Sequence, residues 1–116
     1  VVAAQTATIH AGYVANSNST LIEFSTPEET IAAVRNGEAD VVLADGSYLN
    51  PIVDESNGEL VRVGDGVAIG GGVAMGIRKS DGNLKTKFNS AIASVKADGT
   101  LNKLLKRWFK AAAPQY

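Results

Sequence analysis

The sequence predicts an α/β domain: a mostly parallel sheet flanked by helices, followed by two C-terminal helices. Three observations carry this. Short apolar runs alternate with amphipathic helical stretches along the first half of the chain, and strands alternating with helices build parallel sheets. The stretch Gly37-Glu38-Ala39-Asp40-Val41-Val42-Leu43-Ala44-Asp45 reads as a helix stop, a strand and a terminal carboxylate. A glycine fits the left-handed position that commonly closes a helix, and Val41-Val42-Leu43 is the continuous apolar run of a strand covered on both faces. Last, two helix patterns fill the chain from Gly82 onward, each with an apolar stripe.

Composition bounds the answer. The chain has 116 residues, 45% of them hydrophobic, and a net charge of -1. That suits one compact domain with a modest core and argues against disorder. There is no Cys, so no disulfide framework, thiolate metal site or thiol nucleophile. A single His excludes multi-His metal sites. No run approaches the roughly 20 apolar residues that span a bilayer. Val1 opens on apolar residues without Met or a basic leader, as in a mature chain or one cut from a longer protein. The charge is split. Val1 to Ile77 holds ten acidic residues and two basic ones, Arg35 and Arg62; Arg78 to Tyr116 holds nine basic and two acidic. Because the basic residues lie on helices with full apolar stripes, two structural units explain the split better than a nucleic-acid tail.

The elements follow in order. Val1–Ala4 reads as a strand, and a hydroxyl-rich turn leads into a helix over Ile9–Ala15, with Thr6 and Thr8 as candidate N-caps. Such a turn points backbone N–H groups at open space and favours an anion, although most βα turns bind nothing. After the polar Asn16–Ser19 link, Thr20–Phe24 reads as a strand. Thr26-Pro27-Glu28-Glu29 is a capping box with Pro at the first helical position, and its helix runs to Asn36-Gly37. Beyond the Val41–Leu43 strand, a helix is predicted over Ser47–Glu55, with Pro51 in its first turn or as a kink. Asn57-Gly58 is a tight turn, and Glu59–Val63 another strand. The glycine run of residues 64–72 lacks both G-x-G-x-x-G spacing and a GK[ST] motif, so a nucleotide loop is rejected. It reads instead as a place where the backbone turns and crosses. Val73–Arg78 reads as a strand.

Ser80-Asp81-Gly82 starts a long helix. Leu84, Phe88, Ala91, Ile92 and Val95 share one face, and Gly99 closes it. Thr100 is expected to cap a last helix, with Leu101, Leu104, Leu105 and Trp108 on one side and Lys103, Lys106, Arg107 and Lys110 on the other. The basic side reads as the solvated face of a packed helix rather than a nucleic-acid or membrane surface. Ala111–Tyr116 reads as a frayed tail.

Asp45 lies where its strand runs out, and open α/β sheets bind ligands outside the carboxyl ends of strands. Its carboxylate could receive the ammonium group of a small ligand, or cap the next helix. His10 lies in the first turn of its helix, where a lone His is more often structural than a ligand group.

Four blocks together resemble the periplasmic solute-binding proteins of polar amino-acid ABC transporters, family 3, whose two lobes form a type II fold around a hinged cleft. Val2-Ala3-Ala4-Gln5-Thr6-Ala7-Thr8-Ile9-His10-Ala11-Gly12-Tyr13 is similar to the family's V-G-V-Q-x-G-T-T-x-x-x-Y, which opens the second lobe. The Gly37–Asp45 stretch is similar to its G-x-x-D-A-v-v-x-D. Gly76-Ile77-Arg78-Lys79-Ser80-Asp81 is similar to its return strand, and Ala97-Asp98-Gly99-Thr100 with Lys106-Arg107-Trp108-Phe109 to its closing A-D-G-T…K-W-F pattern.

The resemblance implies residues 1–77 as the second ligand-binding lobe. Residues 78–116 would be the segment that returns to a first lobe, and nothing in the chain matches that lobe. It implies that Asp45 binds a ligand α-ammonium, that Thr8 and Ile9 sit at the turn binding the α-carboxylate, and that His10 adds a side-chain contact. Ala7 replaces the usual Gly and Ile9 the usual second Thr, so only a backbone contact survives at Ile9. The implied function is the substrate-binding component of an ABC transporter: an amino acid or derivative as ligand, a membrane permease as partner, no cofactor, no metal and no nucleic acid. The implied location is periplasmic, or extracellular on a lipid anchor. The C-terminal helices would fold onto this lobe or pair in a homodimer. No catalytic constellation is legible, so no enzyme is expected. The readings set against this one are a cyclohexadienyl or arogenate dehydratase, a sensor domain of the same fold, and a nucleic-acid-binding domain.

Overall fold

The computed structural model describes residues 1–109 and 115–116. Its elements are β1 (Val2–Gln5), α1 (Ile9–Ala15), β2 (Leu21–Phe24), α2 (Pro27–Arg35), β3 (Val41–Val42), α3 (Gly46–Glu55), α4 (Gly82–Ala97) and α5 (Thr100–Phe109). They fall into two units, Val1–Gly71 and Gly72–Tyr116, divided within the glycine run.

The first unit is the predicted α/β layer. Its three strands are parallel in the order β2-β1-β3, with Val2 opposite both Leu21 and Val41. The crossovers β1-α1-β2 and β2-α2-β3 run in opposite directions across the sheet. Because such crossovers are right-handed, α1 and α2 cover opposite faces. Successive strand residues point to opposite faces, and Ala3 and Ala4 are both fully buried. Ala3 packs with Ala33 of α2 and with Ala39, flanked by Phe24 and Val34. On α1 the buried residues are Ala11 and Val14. A core this rich in alanine brings the helices close to the sheet and leaves little room for larger side chains.

The helix ends follow the sequence closely. Thr26 and Glu29 form the capping box reciprocally: Glu29 N–H donates to the Thr26 hydroxyl at 3.3 Å, and Thr26 N–H to the Glu29 carboxylate at 2.9 Å. Gly37, at φ +76°, lets Glu38 N–H turn back to the Ala33 carbonyl at 2.8 Å. Pro51 lies inside α3.

Two predicted strands are absent. Residues 59–63 and 73–78 form no ladder, so the described sheet ends at β3. A strand exists only against a partner, and the first segment is bound to α3 instead. The Ser56 hydroxyl accepts from Leu60 N–H at 3.1 Å. The Arg62 guanidinium donates to Asn50 at 2.8 Å and to Asp54 at 2.7 Å. Arg35 of α2 pairs with Glu59 at 3.1 Å. Val61, Val63, Val73 and Met75 are left exposed. For the same reason β3 is not covered on both faces: it is a two-residue edge, and Val41 is exposed.

In the second unit α4 packs on α5. Gly99 closes α4 at φ +76°. Thr100 is the first residue of α5 rather than its cap; the capping acceptor is Asp98, which takes Thr100 N–H at 2.8 Å. The expected frayed end is tied down at Tyr116. Its backbone exchanges hydrogen bonds of 2.8 and 3.0 Å with the Asn102 side chain, and the Lys96 ammonium lies 4.5 Å from its ring centre. Lys110 and residues 111–114 of that tail lie outside the described residues. Leu84, Phe88, Ile92, Leu104 and Trp108 are exposed. Among the described residues no helix is long and apolar enough to cross a membrane.

Candidate functional site

Strand order positions the site. The chain steps from β1 to β2 on one side, then returns to β3 on the other, so the crevice at the carboxyl ends of β1 and β3 is a topological switch point. Residues 6–10 follow β1 there, and residues 43–45 follow β3. All four sequence-predicted site residues, Thr8, Ile9, His10 and Asp45, stand on these two run-outs.

Thr8 is the N-cap of α1. Its hydroxyl donates to the Gln5 carbonyl at 2.6 Å and accepts Ala11 N–H at 3.2 Å. A hydroxyl has one proton, and here it is committed to the turn. Thr6, the other candidate cap, takes no such role; its N–H donates to the Phe24 carbonyl at 2.9 Å. Ala7 has φ +60°, a left-handed conformation that alanine adopts at a cost. That residue sets the turn. Beyond it the N–H groups of Thr8, Ile9 and His10 have no acceptor among the described residues. Together they form a small patch of donors at the first turn of α1. Ile9 itself is 59% exposed, so its side chain stands at the surface while its N–H stays free.

Asp45 precedes α3 in the N-cap position, but its side chain makes no capping hydrogen bond. The backbone carbonyl of Asp45 takes the N–H groups of Tyr48 and Leu49 at 2.9 and 3.0 Å. The carboxylate is 77% exposed and turns to His10, with Oδ1 3.5 Å from Nε2. His10 is only 13% exposed at its side chain. The structure thus joins two residues 35 positions apart that the sequence singled out separately. Among the described residues no three Asp, Glu or His side chains converge on a metal position.

Two features escaped the sequence. One is the His10–Asp45 contact, which depends on β3 pairing beside β1. The other is Gly70: a Cβ there would stand 3.3 Å from Ile9 Cδ1, so the glycine run passes directly against the site turn.

A family model of bacterial extracellular solute-binding proteins, family 3, matches residues 13–111. The chain belongs to this family. The amino-acid-binding protein AabA of Dichelobacter nodosus is 35% identical over 68% of this family 3 chain and 32% of its own length. The histidine-binding periplasmic protein of Salmonella typhimurium is 34% identical over 60% of this chain and 27% of its own. The crystal structure of a periplasmic His/Glu/Gln/Arg/opine family-binding protein from Silicibacter pomeroyi, in complex with lysine, matches with a TM-score of 0.88 and 66% identity. That match covers 99% of this chain and 53% of the other. This family 3 chain therefore spans from about a quarter to about half the length of these relatives. These relatives are binding proteins, and this chain shares the α/β architecture of the solved one.

Proposed function

We propose that this chain is the substrate-binding component of an ABC transporter and holds an amino acid by its zwitterionic group. The supporting observation is the uncapped, exposed Asp45 carboxylate beside the free N–H groups of Thr8, Ile9 and His10, on neighbouring strand ends. In this reading Asp45 receives the α-ammonium, and the N–H patch receives the α-carboxylate. Thr8 contributes by fixing the turn with its hydroxyl, since that group already donates to Gln5.

Residues 1–77 then form one ligand-binding lobe, and residues 78–116 the segment that meets the opposite lobe. Closure of two lobes excludes water and strengthens both charged contacts. One lobe alone supplies half of those contacts, so the 116-residue chain by itself binds amino acids at millimolar affinity or weaker, roughly 4 kcal/mol or less. The assigned location is periplasmic, or extracellular on a lipid anchor, with a membrane permease as partner and no reaction catalysed.

The named relatives put basic amino acids first in the test. The experiment is an NMR shift titration with L-lysine, L-arginine, L-histidine and L-glutamine into the tens of millimolar. The same titration is run on Asp45→Asn. Loss of a charge-assisted contact weakens binding about tenfold. Equal binding by wild type and Asp45→Asn, or no binding by either, defeats the reading.

A further inference from the structure

We infer that the His10 imidazole is a positioning residue for Asp45, aiming its carboxylate into the β1/β3 crevice instead of touching the ligand itself. This rests on the proposed role of Asp45. An Asp before a helix ordinarily turns its carboxylate onto the first N–H groups of that helix. Asp45 does not: it makes no side-chain cap, and its Oδ1 faces His10 Nε2 at 3.5 Å.

The two partners differ in freedom. The imidazole is 13% exposed and sits on α1, which Ala11 and Val14 anchor and Thr8 caps. The carboxylate is 77% exposed. The fixed group therefore sets the position of the free one. Among the described residues Asp45 has no Lys or Arg at pairing distance; Arg35 pairs with Glu59 and Arg62 with Asp54. One carboxylate oxygen faces the imidazole, which leaves the second for a ligand ammonium. The largely buried ring has little surface left for a direct ligand contact.

The test has a ligand-free arm and a ligand arm. Thermal unfolding of wild type, His10→Ala, Asp45→Ala and the double variant forms a cycle. The expected result is a departure from additivity of about 1–4 °C in Tm. Additive shifts overturn the assignment. In the ligand arm, His10→Ala weakens L-lysine binding about three- to tenfold. His10→Gln, whose amide nitrogen reaches a similar place to Nε2, stays within about twofold of wild type. Failure of the Gln variant to restore affinity while Asp45→Asn still weakens it about tenfold overturns the positioning role and leaves Asp45 standing. Wild type that binds no amino acid removes the Asp45 reading instead; the thermal cycle then decides the His10 contact alone.

Discussion

The Cδ1 of Ile9 stands 3.3 Å from the place a Cβ on Gly70 would occupy. Ordinary carbon contacts lie at about 3.5–4.0 Å, so a side chain at residue 70 must push Ile9 aside by a few tenths of an ångström. The tip of an exposed isoleucine yields at small cost, well below that of overpacking a core. Gly70→Ala also removes freedom of the unfolded chain worth about 0.4–1 kcal/mol in favour of folding, which offsets the contact cost, so its Tm is expected to stay within about 2 °C of wild type. Ile9→Val removes Cδ1, so in that background Gly70→Ala should raise Tm by about 1–4 °C. Two shifts that simply add in a melting experiment would show that the contact does not exist in solution.

The Asp98 carboxyl is held below the usual carboxylate range by the Thr100 hydroxyl, then by Thr100 N–H, which donates to Oδ1 at 2.8 Å. A folded-state value below the unfolded one means that the folded chain binds fewer protons. The stabilisation is complete above the ordinary value of 3.8 and is lost as pH falls through the lower folded value. Asp98→Asn removes this component. Its Tm should therefore lie below that of wild type near neutral pH and approach it in acid below about pH 4. A constant Tm difference across that range would contradict the assignment.

Local signals made the first half of the chain legible. The capping box at Thr26 and Glu29 fixed the start of α2, Gly37 fixed its end, and α1 spans the predicted Ile9–Ala15. These features depend on neighbours within five residues. Residues 59–63 and 73–78 carry a strand-like pattern, yet a strand requires a partner that local pattern does not name. Arg62 instead fastens the first of them to Asn50 and Asp54. The candidate site divides in the same way. Thr8, Ile9, His10 and Asp45 could each be singled out from motif position, but the His10–Asp45 contact follows from the order β2-β1-β3. Asp45 as a helix cap was the reasonable local expectation, and a residue 35 positions away overrides it.

Ala7 provides the last test, because its strain can be separated from packing. It is exposed and has φ +60°, so its Cβ meets the steric penalty of the left-handed region while contributing no buried contact. That penalty is about 1–2 kcal/mol for an L-residue. Glycine escapes it, but gains freedom in the unfolded chain worth about 0.4–1 kcal/mol against folding. Ala7→Gly is therefore expected to raise stability by roughly 0–1.6 kcal/mol. Asn tolerates this conformation better than most residues, whereas a β-branched side chain tolerates it least. Thermal unfolding should rank the variants Gly and Asn at or above Ala, with Val lowest. A Val variant as stable as wild type would mean that residue 7 leaves the left-handed region in solution. The N–H groups of Thr8, Ile9 and His10 would then not be presented as described, and the anion half of the site would fail with them.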